Sequence, residues 1–173
     1  DHPINAVSII ARLLNAKGYR VGIIPQPLKD EDYKICGKPK YFFCISSGLL
    51  DSMLANYTPM LRKRENVLVP ERALMVYTQK VKETFKDCMT VLGGVESTLR
   101  KFTHFDYKTN ELRRGILNDT KADILIFGNG DRPILNLLER IKKAEKKEKG
   151  TDFEKVKDVL NLETIDGIAF RIK

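Results

Sequence analysis

The chain has no tryptophan and only two histidines and three cysteines among its 173 residues, and each scarcity removes a class of function. His2 and His104 stand far apart, and around them no Ser/His/Asp order, zinc-ligand spacing or pair of catalytic carboxylates can be assembled. Cys36, Cys44 and Cys88 are odd in number and widely separated, which argues against a disulfide framework and offers no close metal-binding spacing. Buried, reduced thiols are the expectation. The longest apolar stretches, such as Ile124 to Phe127, hold a few residues against the roughly 20 needed to cross a bilayer. Asp1-His2-Pro3 opens no basic-then-apolar leader, so no secretory signal is read and a cytoplasmic location is expected. The Walker phosphate loop is absent as well. No catalytic residue and no metal ligand is therefore assigned.

What the chain does have is positive charge, 31 Lys and Arg against 23 Asp and Glu for a net charge of +8. Much of the excess lies in Arg100–Arg114 and Lys142–Lys149. The second run, KKAEKKEKG, interleaves acids with bases as a solvated helix end does, with cations favoured near its C-terminus. A basic face can attract nucleic acid, which makes an RNA-interacting domain one alternative function; no aromatic interleaving or binding motif accompanies the charge.

Apolar spacing sets out the elements. Ile4, Val7, Ile10, Leu13 and Leu14 recur with helical period, and Gly18 stands where a left-handed cap belongs. YRVGII predicts a strand over 19–24, stopped by Pro25 and Pro27. YFFCIS reads as a strand buried on both faces, followed by a helix near Leu49–Tyr57. Ala73, Val76, Tyr77, Val81 and Phe85 predict a helix after Pro70, MTVL a further strand, ADILIF another, and Pro133 to about Lys147 a long helix. Parallel strands joined by right-handed crossovers follow from that alternation. The expected fold is a single α/β domain over 1–173, a doubly wound, Rossmann-like, mostly parallel sheet with helices on both faces. Because the chain opens on a helix that needs a strand beside it, a first strand is expected upstream of Asp1. Asp166-Gly167 predicts an edge hairpin over 162–172, and the abrupt passage through LRKRENVLVP suggests a flexible loop, with residues missing near Asn66.

In such a sheet, ligands bind beyond the carboxyl ends of the strands. Three turns qualify: Ser46-Ser47-Gly48, Gly93-Gly94-Val95-Glu96-Ser97-Thr98, and Gly128-Asn129-Gly130-Asp131-Arg132. Their glycines admit close approach, and the helix starts favour anionic groups. All of these residues other than Val95, Thr98 and Arg132 are candidates for a ligand or docking surface; Glu96 and Asp131 read equally well as acids favoured at a helix start. A stand-alone nucleotide- or cobalamin-binding module is the other alternative.

Taken together and in order, DHPINAVSIIARLLNAKGYRVGIIPQP, YFFCISSGLLDSMLANYTP, PERALMVYTQKVKETFKD, VLGGVESTLRKFTHFDY, LRRGILNDTKADILIFGNGD and IDGIAFR resemble the N-terminal region of the YgiQ family of radical SAM proteins. The resemblance implies a domain similar to the cobalamin-binding domains that precede other radical SAM barrels, and a barrel downstream as its partner. There a CxxxCxxC motif would carry a 4Fe-4S cluster and S-adenosylmethionine, with a small-molecule or RNA substrate. Neither CxxxCxxC nor the cobalamin signature DxHxxG is present here, since DHPINA has a different spacing. The resemblance thus implies no cofactor in this chain and an accessory, non-catalytic role on the substrate side of the barrel. It also implies a Gly-rich insertion between NYTP and PERA, which this chain lacks.

Overall fold

The computed structural model describes residues 6–145 and 153–171. His2, the run Lys146–Lys149 and the last residue of the expected hairpin lie outside them.

Four strands form the main sheet. Helix α1 (Ala6–Ala16) leads into an extended segment, then come strand β1 (Phe42–Ile45), helix α2 (Ser52–Asn56), helix α3 (Ala73–Thr84) and strand β2 (Met89–Leu92). Helix α4 (Val95–Leu99), strands β3 (His104–Asp106) and β4 (Glu111–Arg113), helix α5 (Ile116–Thr120), strand β5 (Ile124–Ile126), helix α6 (Asp131–Glu145), helix α7 (Phe153–Leu160) and strand β6 (Ile168–Phe170) complete the chain. The order is β1-β2-β5-β6, with β1, β2 and β5 parallel and β6 antiparallel to β5. This is the mostly parallel α/β sheet that the sequence predicts.

Strand period carries the layering. Met89 and Val91 on β2, and Ile124 and Ile126 on β5, face a core shared with α1, α6 and α7; Leu92 and Leu125 face a second core shared with α3 and α5. Alternate residues of a strand point to opposite faces, so helices cover both. Fully burying side chains of this size is worth about 1.5–3 kcal/mol each, and Leu92, Ile124 and Leu125 are all 0% exposed. No helix among the described residues is long and apolar enough to cross a membrane.

Three expectations need correction. The segment 19–24 is extended but joins no ladder, because neither of its sides meets a strand. For a related reason β1 is not buried on both faces: it pairs with β2 on one side only, and Cys44 is exposed rather than buried. At the other edge, Leu162–Thr164 forms a single 3-10 turn with Ile165 N bonded to Leu162 O at 3.0 Å, so 162–172 is not a hairpin. Burying Leu162 and Ile165 in the core wins over extending them, and β6 pairs with β5 instead. The stretch around Asn66 runs as bends, with Asn66 itself at φ 58°.

Candidate functional site

The strand ends bring the three turns to one edge of the sheet. Ser46, Gly93 and Phe127 follow the last residues of three neighbouring parallel strands. The first two turns touch: a Cβ on Gly94, whose φ is +87°, would lie 2.7 Å from Ser46 Oγ. Gly130 differs, since a Cβ there would meet only Ile10 Cδ1 at 3.4 Å and Ile126 Cγ2 at 3.7 Å.

Few side chains of these turns are free for a ligand. Ser46 Oγ accepts from Gly48 N at 3.1 Å, buried Ser47 donates to Leu50 O at 2.8 Å, and buried Ser97 donates to Gly94 O at 2.9 Å. Gly128, Asn129 and Asp131 are exposed. Glu96 is 0% exposed; its Oε2 accepts the backbone N–H of Ser52 at 2.9 Å, and Ser52 Oγ accepts from Ala73 N at 3.0 Å. One carboxylate thus ties the starts of α2, α3 and α4 together, at a helix end that would otherwise leave buried donors unmatched.

Around that tie lies an ion-pair cluster that sequence reading missed, because its partners are dozens of residues apart. Asp51 caps α2 by accepting from Met53 N at 2.8 Å and receives Arg100 on both oxygens. Asp106, 2% exposed, accepts from Arg72 at 2.6 Å, with Arg113 at 3.9 Å. Burial pushes the Asp106 carboxyl up, but the Arg72 hydrogen bond and two backbone N–H groups outweigh it and hold the pKa below the usual value. Arg113 and Arg114 also face Asp119 at 3.6 and 3.2 Å. The basic run 100–114 is therefore largely neutralised within the fold. The Nδ1 of His104 lies 3.2 Å from Phe102 O.

A narrow cleft opens between these groups, lined by Arg72, Glu96, Arg100, His104, Arg113 and Asp119. Glu96 Oε1 and Arg72 Nε are both buried without a hydrogen-bond partner among the described residues, one an acceptor and one a donor. Flanking the cleft, β3 and β4 pair Phe105 with Leu112, and both side chains are exposed, 57% and 76%. Val95, Leu99 and Phe102, and Leu49, Leu50 and Leu54 in the turn after β1 and in α2, are exposed too. No group of three or more His, Cys, Asp or Glu side chains among the described residues is disposed to hold a metal.

Fold and loop edge together define an α/β domain of the Rossmann-like class, with three turns set at the carboxyl ends of parallel strands. The chain belongs to the Radical SAM N-terminal family, which matches residues 1–169. It is 44% identical over 156 residues to a UPF0313 protein of Geobacter sulfurreducens, covering 84% of this chain and 26% of that protein. With a UPF0313 protein of Clostridium botulinum it shares 40% identity over 190 residues, covering 98% and 30%. The UPF0313 protein YgiQ of Escherichia coli is 43% identical over 156 residues, covering 84% and 21%. The chain thus spans less than a third of these relatives. The Clostridium match is longer than the chain itself, so that relative carries residues this chain lacks. No solved structure matches.

Proposed function

We propose that this domain is a non-catalytic accessory unit that docks through the loop edge of its sheet onto the remainder of a radical SAM protein and helps to shape the substrate side of that site. The observation that carries the reading is the exposed apolar pair Phe105 and Leu112, neighbours across β3 and β4 whose flanking residues His104 and Arg113 line the cleft. Large apolar side chains left exposed side by side favour an interaction site, and more than two thirds of the relatives' length lies outside the chain.

Radical SAM membership implies a 4Fe-4S cluster and S-adenosylmethionine in the full-length protein. The residues here do not fit a cluster: Cys36, Cys44 and Cys88 are free cysteines, and among the described residues no group of three or more His, Cys, Asp or Glu is disposed to hold a metal. The cluster and its chemistry belong to the downstream part, as do a small-molecule or RNA substrate and its turnover. RNA contact through 100–114 loses support from the ion pairs that occupy Arg100, Arg113 and Arg114.

The test is the double substitution Phe105→Asp with Leu112→Asp in the full-length protein. Both side chains are exposed, so melting of this domain should stay within about 0.5 kcal/mol of the parent. Small-angle scattering should widen as the domain swings free. Unchanged scattering would contradict docking through this face.

A further inference from the structure

We infer that the open edge of β1 is completed by a strand from the part of the protein preceding Asp1, running parallel to β1 and seated between it and the extended segment 19–24. Three observations converge on that slot.

First, β1 pairs with β2 on one side and with no strand of the described residues on the other. The strand reads Phe-Phe-Cys-Ile, with no charge, proline or bulge of the kind that protects exposed sheet edges. Second, the segment 19–24 lies along that edge without pairing. At its start the Tyr19 ring packs 6.1 Å from Tyr41, just before β1, and beyond its end Gln26 Nε2 donates to Tyr77 of α3 at 3.1 Å. It therefore crosses from the α6 face to the α3 face. Tyr19, Val21 and Ile23 alternate as strand residues do, yet Val21 and Ile23 remain 38% and 49% exposed. Third, α1 runs from the carboxyl end of the sheet, where Ile10 nears Gly130, to the amino end, where Tyr19 meets Tyr41. A helix so placed and followed by an extended segment is the second half of a right-handed strand-helix-strand crossover. The strand it lacks would end where α1 begins.

The chain covers 21 to 30% of its relatives, so sequence to supply such a strand exists in them. A second copy paired on β1 would leave the alternation of 19–24 unexplained, because that segment needs a neighbour on its inner side.

Hydrogen exchange by mass spectrometry on the full-length protein, with its mass followed by light scattering, decides the matter. Expected is slowing by about a thousandfold or more relative to free-peptide rates, in the monomer. It should cover 19–24, alternate amides of 42–45 and a stretch directly preceding Asp1. Free-peptide exchange in that preceding stretch overturns the inference. So does protection of 42–45 that disappears when a dimer is diluted to monomer, which would assign the edge to a second copy.

Discussion

Arg100 closes on Asp51 with two nitrogens, Nε at 2.9 Å from Oδ2 and Nη2 at 2.9 and 2.8 Å from Oδ1 and Oδ2. The two side chains are only 13% and 4% exposed, so solvent does little to screen them. Asp51 at the same time caps α2. One pair therefore holds the helix after β1 against the helix after β2.

Removing one partner of such a pair strands a buried charge. Arg100→Ala should cost about 3 kcal/mol or somewhat more, lowering the melting temperature by roughly 10 °C in a domain of this size. The double change Arg100→Met with Asp51→Asn, which strands no charge, should recover a large part of that loss. A single variant that melts like the parent would show the pair to be dispensable.

Gly94 and Gly130 should respond differently. Gly94→Ala combines a positive φ with a Cβ 2.7 Å from Ser46 Oγ, so a destabilisation of about 1–3 kcal/mol is expected. Adding Ser46→Ala should restore part of it by removing the clashing oxygen. Gly130→Ala, whose Cβ meets ordinary contacts, should stay within about 0.5 kcal/mol. Denaturant midpoints check all three variants, and no rescue by Ser46→Ala would refute the contact.

Acid sensitivity should centre on two carboxylates. Glu71 is held down at about 2 by hydrogen bonds from Lys108 and Tyr57, and Asp106 lies below its ordinary value. A carboxyl with a lowered folded pKa contributes stability above its unfolded pKa and loses it as pH falls through the folded one. Stability should therefore decline from about pH 4.5 toward pH 2. Glu71→Gln should flatten that decline in urea melts taken across the range, and an unchanged slope would remove Glu71 from the account.

What the sequence disclosed and what it concealed divide along physical lines. β2 and β5 are legible because MTVL and ILI are short, mostly apolar runs that end in glycine turns, and both strands are buried at every position. The strand predicted at 19–24 has an apolar pattern too, but pairing needs a neighbour as well as a pattern. The hairpin of β3 and β4 was invisible, since Phe105 and Leu112 are exposed and Asp106 is anchored by Arg72, 34 residues away. Glu96 reads as a helix-start acid and does lie in the first turn of α4; its carboxylate is bonded to the start of a different helix, at Ser52. That contact spans 44 residues, and no local spacing announces it.

Anaerobic reconstitution with iron and sulfide should leave the 173-residue chain colourless, because no three of its described Cys, His, Asp or Glu side chains are grouped to hold a metal and a cluster of this kind needs three thiolates together. A stoichiometric visible absorbance that resists desalting would contradict this.

Docking through the loop edge is tested most directly by cross-linking the full-length protein with a lysine-reactive reagent and mapping the products by mass spectrometry. Lys101 and Lys108 flank the apolar residues of the cleft, Lys101 packing over the Phe102 ring at 5.1 Å and Lys108 over that of Tyr57 at 4.5 Å. The docking account predicts that both link to residues beyond Lys173, and that the double change Phe105→Asp with Leu112→Asp abolishes those links. Links to the downstream part that arise only from the opposite, amino-end side of the sheet, such as Lys38 or Lys40, would contradict it.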